Sequence, residues 1–124
     1  NPAFSGVEID IMESFKPGYV SHAVHWNGCG EDLQSKGKQS FPLEATPDGF
    51  HRFGLRWNKT GYTFFVDGKE SWHVDGPVSE TEQFILVSTE CMGYRTEEEK
   101  PCTEVQGSAP DEFVVDYVRV FDEI

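Results

Sequence analysis

The segment Tyr62–Val74 constrains the fold most. Tyr62–Val66 is a short aromatic and β-branched run, Asp67-Gly68 follows it, and Glu70–Val74 (ESWHV) is a second run. An Asp-Gly pair between two such runs signals a hairpin, because both central positions of a tight hairpin turn tolerate φ > 0. Similar runs recur on either side. Val7–Glu13 is β-branched and acidic, and Val20–Asn27 (VSHAVHWN) sets Val20, His22, Val24 and Trp26 against Ser21, Ala23, His25 and Asn27. Side chains alternate faces along a strand, so the two sets point opposite ways. Phe50–Trp57 (FHRFGLRW) alternates again, with Phe53, Leu55 and Trp57 read as core. Gln83–Glu90 (QFILVSTE) and Glu112–Phe121 (EFVVDYVRVF) read as further strands. Gly28–Ser40 has no period and reads as a loop, as does Cys91–Asp111 with its acidic Glu97-Glu98-Glu99. No segment sustains a helical period. The expectation is an all-β, antiparallel β-sandwich of two packed sheets, one domain over residues 1–124.

Composition narrows the partners. The chain carries 22 Asp+Glu against 10 Lys+Arg, a formal net charge of -12. Nucleic acid needs a basic footprint and anionic membranes attract basic segments, so neither is expected as a partner. No apolar run approaches the roughly 20 residues of a membrane-spanning helix. The start shows no signal-peptide pattern, and Asn1-Pro2 reads as a processed or truncated end. Three cysteines do not make a disulfide scaffold or a zinc spacing. Cys91 and Cys102 flank the acidic loop, which a disulfide between them would close; Cys29 is left over. Asn58-Lys59-Thr60 is a glycosylation sequon in form, and is read here as a hairpin turn. His22, His25, His51 and His73 show no convergent metal-binding spacing.

The chemistry concentrates in VEIDIMES, Val7–Ser14. In a regular strand Glu8, Asp10 and Met12 share a face, and Glu13 falls on the other. A β-bulge at Ile11–Met12 would add one residue and bring Glu13 onto the face of Glu8 and Asp10. The outer two Cα atoms would then lie about 13–14 Å apart, and glutamate side chains leaning together approach the ~5–5.5 Å of a retaining glycosidase pair. Carboxylates this crowded cannot all ionise, so at least one pKa rises, which is how a glutamic acid stays protonated near neutral pH. The alternative is a solvated edge strand whose acids discourage aggregation.

Glu8-Ile9-Asp10-Ile11-Met12-Glu13 resembles the bulged E-x-D-x-x-E active-site strand of glycoside hydrolase family 16, the laminarinases, agarases, carrageenases and their relatives. Phe50–Trp57 is similar to the family's "FHxYGLEW" strand, Tyr62–Lys69 to its "YxFYVDGK" hairpin, and Val115–Val120 to its closing "VDYVRVY" strand. The resemblance implies a concanavalin A-like jelly roll with the acids on the concave sheet, and secretion. It implies Glu8 as nucleophile, Glu13 as general acid/base and Asp10 as the helper between them. It also implies a structural calcium at Asp116, with no cofactor for catalysis. Trp26 and His25, on the strand after the acids, are substrate-binding candidates: Trp26 to stack on a sugar ring, His25 to hydrogen-bond a carboxylate or a hydroxyl. Alternation allows one of the two on the cleft face, and core packing is the other reading of Trp26.

Family catalytic domains are longer, with the acids near the middle. Here Asn1-Pro2-Ala3-Phe4 resembles the family's "WPAFW" strand, and only Ser5-Gly6-Val7 separate it from the acids. The chain thus reads as the C-terminal half of a catalytic domain, truncated or shortened, so that the sandwich is incomplete. Open sheet edges would pair with a missing N-terminal half or with a second copy in a homodimer. Two functions compete. One is a retaining endo-hydrolase of β-linked polysaccharide, with β-1,3- or mixed-linkage glucan first and a galactan second. The other is a lectin-like sandwich, or an inactive fragment, that binds carbohydrate without turnover. The complete acid set favours the enzyme; the strong negative charge disfavours sulfated galactans.

Overall fold

The computed structural model describes residues 1–28, 30–89 and 112–122. The chain divides into two compact units, Asn1–Phe84 and Ile85–Ile124. The first holds every regular element among the described residues: α1 (Pro2–Ser5), β1 (Glu8–Lys16), β2 (Tyr19–Trp26), β3 (Gln34–Pro42), β4 (Phe53–Asn58), β5 (Gly61–Val66) and β6 (Lys69–Val74). They form two antiparallel three-stranded sheets, in the orders β1-β2-β3 and β4-β5-β6. This is the expected all-β sandwich of jelly-roll type. The opening residues differ from the strand expected of Asn1–Phe4. Asn1 caps a single helical turn, its side-chain oxygen accepting from Ala3 N at 3.1 Å, with Pro2 in the first-turn position that suits its fixed φ.

The Asp67-Gly68 turn is the one expected, with φ of 51° and 80° at its two central residues. Asp67 also clamps the hairpin to the chain before β4, accepting from Arg52 N at 2.8 Å and pairing with His51 Nδ1 at 2.8 Å. Asn58 Oδ1 accepts from both Thr60 N and Thr60 Oγ1, the local geometry of a hairpin turn between β4 and β5.

The core lies between the two sheets. Val7 and Val24 meet Tyr62, Phe64 and Val74, with Ile9, Trp26, Leu55 and Trp72 packed around them. Tyr62 is fully buried, and its hydroxyl accepts from Ser79 N at 2.8 Å. Leu55 is core as expected. Trp57 is not: it sits at the rim, 38 % exposed, because its indole N–H reaches out to the Ser79 carbonyl.

Three expected elements differ. Gln34–Pro42 lies inside the segment read as an aperiodic loop and continues past its end, yet it is a strand. Its sequence, QSKGKQSFP, carries no apolar alternation; the ladder to β2 holds it extended. Conversely, Gln83–Thr89 and Glu112–Phe121 form no strand, although both are rich in β-branched and aromatic residues. Strand propensity expresses itself only where a neighbour completes the ladder, and no ladder partner is present for them among the described residues. In the second unit Ile85, Leu86, Val87, Phe113, Val118 and Val120 are exposed, and Arg119 stacks over the Tyr117 ring at 4.4 Å. The expected Cys91–Cys102 bridge, Cys29 and the Glu97–Glu99 patch lie outside the described residues.

Candidate active site

The register of β1 against β2 decides where the acids point. Glu8 pairs with His25, Asp10 with Ala23 and Glu13 with Ser21, so three steps along β1 from Asp10 match two along β2. One extra residue is accommodated at Ile11–Met12, which is the β-bulge that the spacing of the acids requires. Glu8, Asp10 and Glu13 therefore share the face of Ser21, Ala23 and His25. The partner positions on β2 span four regular steps, which places the outer acid Cα atoms about 13–14 Å apart.

The opposite face of β2 carries Val20, His22, Val24 and Trp26, and Trp26 packs with the core cluster. The structure thus brings His25 to the acids and puts Trp26 on the other side of the sheet. His25 Nε2 lies 3.1 Å from Asp10 Oδ2, within ion-pair reach, and Asp10 Oδ2 has no hydrogen-bond partner among the described residues. His25 Nδ1 is 2.5 Å from Ser35 Oγ on β3. With its hydrogen on Nε2, the ring faces Asp10 and accepts from the Ser35 hydroxyl, which fixes its orientation. Ser35 was not legible as a site residue, since it lies in the stretch that reads as a loop.

Electrostatics single out the middle acid. Burial pushes the Asp10 carboxyl up from 3.8 to about 6, and the negative charges of Glu13 and then Glu8 push the same way; His25 opposes them. The rise expected for a crowded glutamate is thus found on Asp10, which is flanked by both glutamates. Beneath it the sheet is shallow. Asp10 pairs with Ala23 and Ala23 with Gly37, a row of shrinking side chains that runs across the strands. Gly37 has no room for more, because a Cβ there would sit 2.8 Å from the His22 carbonyl oxygen.

A strand with three acids on one face, bulged between the second and the third, is what the family resemblance required. Residues 4–92 match the family described as glycosyl hydrolases family 16. The chain belongs to this family. The match spans both the acidic strand and the Phe50–Lys69 motifs, and ends before the Val115–Val120 motif. Membership places the chain's chemistry among the glycosidases in general. No curated protein and no solved structure matches the chain.

Asp116 lies beyond the matched residues and is exposed. Among the described residues no three His, Cys, Asp or Glu side chains converge on a metal-sized site. A calcium ion takes six to eight oxygens, so Asp116 alone would supply only part of its coordination. No helix among the described residues is long and apolar enough to cross a membrane.

Proposed function

We propose that the chain carries the catalytic acids of a retaining glycoside hydrolase that cleaves β-linked polysaccharide internally. The observation that carries this reading is the Ile11–Met12 bulge, which puts Glu8, Asp10 and Glu13 on one face. Glu8 attacks the anomeric carbon as Glu13 gives its proton to the departing glycosidic oxygen, leaving a glycosyl ester on Glu8. Glu13, now a carboxylate, takes a proton from water, and that water displaces Glu8 to release the sugar with its configuration retained. Asp10 lies between the two acids as the helper, its own proton half retained near pH 6. His25, held by Ser35, limits how far that proton is retained and offers a ring N–H to the site.

The partner in this reading is the polysaccharide, with the Ala23–Gly37 row as floor for a sugar ring. A β-1,3- or mixed-linkage glucan is favoured and an uncharged galactan comes second, since the net charge of -12 repels sulfated chains. A polymer of this size is met outside the cell, which supports secretion. Among the described residues the outer strands β1, β3, β4 and β6 are edges, at which further strands or a second copy would pair. The calcium reading of Asp116 rests on its motif; calcium should raise the melting temperature of the wild type and not of Asp116→Asn.

Reducing-sugar release from laminarin, mixed-linkage glucan and agarose tests the proposal, with Glu8→Gln as control. Release that disappears in Glu8→Gln supports it. Binding to these glycans without release, unchanged by the substitution, would assign the chain to the lectin-like alternative.

A further inference from the structure

His22 is fully buried on the core face of β2, behind the acids. Three interruptions of the ladders meet around it. On β1 one extra residue falls at Ile11–Met12. An extra residue falls at Gln39–Ser40 on β3, and Ser71 is the extra residue on β6 of the facing sheet. His22 touches all three strands. Its Nδ1 is 2.7 Å from the Ile11 carbonyl and its Nε2 is 3.1 Å from Ser71 Oγ. Its ring lies against Phe41, just past the β3 bulge, and stacks on Phe64.

The partners fix the proton. A carbonyl only accepts, so Nδ1 carries the hydrogen and donates to Ile11 O. Lys38 Nζ donates to Ser71 O at 2.9 Å and approaches Ser71 Oγ at 3.4 Å, which leaves the Ser71 hydroxyl hydrogen for His22 Nε2. Burial pulls the imidazole below its ordinary pKa; the bond to the Ile11 carbonyl opposes this and Lys38 alongside adds to it.

We infer that His22 is a positioning residue: by holding the Ile11 carbonyl on the core side it keeps the bulge that turns Glu13 toward Glu8 and Asp10. The bulge takes Ile11 out of the ladder, and its half-buried carbonyl gains another donor in His22. His22 supplies that donor and is itself anchored to the facing sheet through Ser71. Without it, β1 gains by slipping one residue into a regular ladder, which carries Glu13 to the other face.

The test reads the acid face directly. The titration of the Asp10 carboxyl is followed by carbon-13 NMR in the wild type and in His22→Asn, His22→Gln and Ser71→Ala. The Asn amide reaches the place of Nδ1 and retains the donor to Ile11, whereas Gln reaches toward Ser71 and loses it. The expected result is a wild-type midpoint in His22→Asn and Ser71→Ala, and a lower one in His22→Gln as Glu13 leaves. A folded His22→Gln with the wild-type midpoint overturns the inference. Should His22→Gln not fold, the ring nitrogen-15 shifts of the wild type decide: a hydrogen on Nδ1 supports the inference, and one on Nε2 alone overturns it. The consequence for turnover rests on the glycosidase reading, with His22→Gln lowering kcat at constant KM and His22→Asn recovering most of it. A shifted Asp10 midpoint in a chain whose wild type cleaves no glycan would sink that reading and leave the positioning role standing.

Discussion

Replacing Asp10 by Asn should stabilise the folded chain at neutral pH, by an amount that depends on pH in a defined way. Asp10 binds its proton more tightly folded, about 6, than at the ordinary 3.8. Between these values the folded state holds more protons than the unfolded state, so stability falls as pH rises. The contribution is fully present below about 3.8 and lost as pH rises through about 6. At roughly 1.4 kcal/mol per tenfold change in proton affinity, the rise corresponds to about 3 kcal/mol. That is an upper value, because three carboxylates on one face share the proton. Asn keeps the shape and removes the charge. Urea unfolding of wild type and Asp10→Asn across pH 3.5 to 7.5 cancels the titrating groups that do not interact with Asp10. The advantage of the variant should grow by up to about 3 kcal/mol between the ends of that range, most of it between pH 4 and 6. A difference that stays flat would show that Asp10 is not crowded by Glu8 and Glu13 in a buried position, and the acid face as described would be wrong.

Two further substitutions test the frame that holds this face. Tyr62→Phe removes the acceptor of the buried Ser79 N–H and should cost about 1–3 kcal/mol in urea unfolding; a loss within error would mean that water takes over the bond. Gly61→Ala would drive a Cβ into the Val74 carbonyl at a positive φ, and should cost at least about 1–3 kcal/mol; an unchanged unfolding midpoint would refute the close approach of β5 and β6 there.

The bulge was legible because acids at spacings of two and three share a face only if one residue is absorbed between them. The Asp67-Gly68 hairpin was legible because its turn chemistry is local. Alternation along β2 separated His25 from Trp26 correctly: His25 shares the face of the acids and Trp26 packs with the core. What escaped depended on partners distant in sequence. Gln34–Pro42 is extended only because β2 pairs with it, and Ser35 came hidden with it. The rise in pKa falls on Asp10 because burial adds to its two acidic neighbours, which spacing alone does not reveal. His22 looked like one more core position of an alternating strand. Its role depends on a carbonyl freed by a bulge eleven residues earlier and on a serine of the other sheet.

Azide rescue measures the assignment of Glu8 and Glu13 most directly, using an aryl β-glycoside whose leaving group needs no acid. In Glu8→Ala azide takes the place of the missing carboxylate and attacks from the face opposite the leaving group, so the product is the α-glycosyl azide. In Glu13→Ala the glycosyl ester on Glu8 still forms, and azide displaces it to give the β-glycosyl azide. Two azides of opposite configuration are therefore expected. The same anomer from both variants, or rescue of neither while the wild type turns over, would contradict the placement of a nucleophile and an acid/base on either side of the bulge in β1.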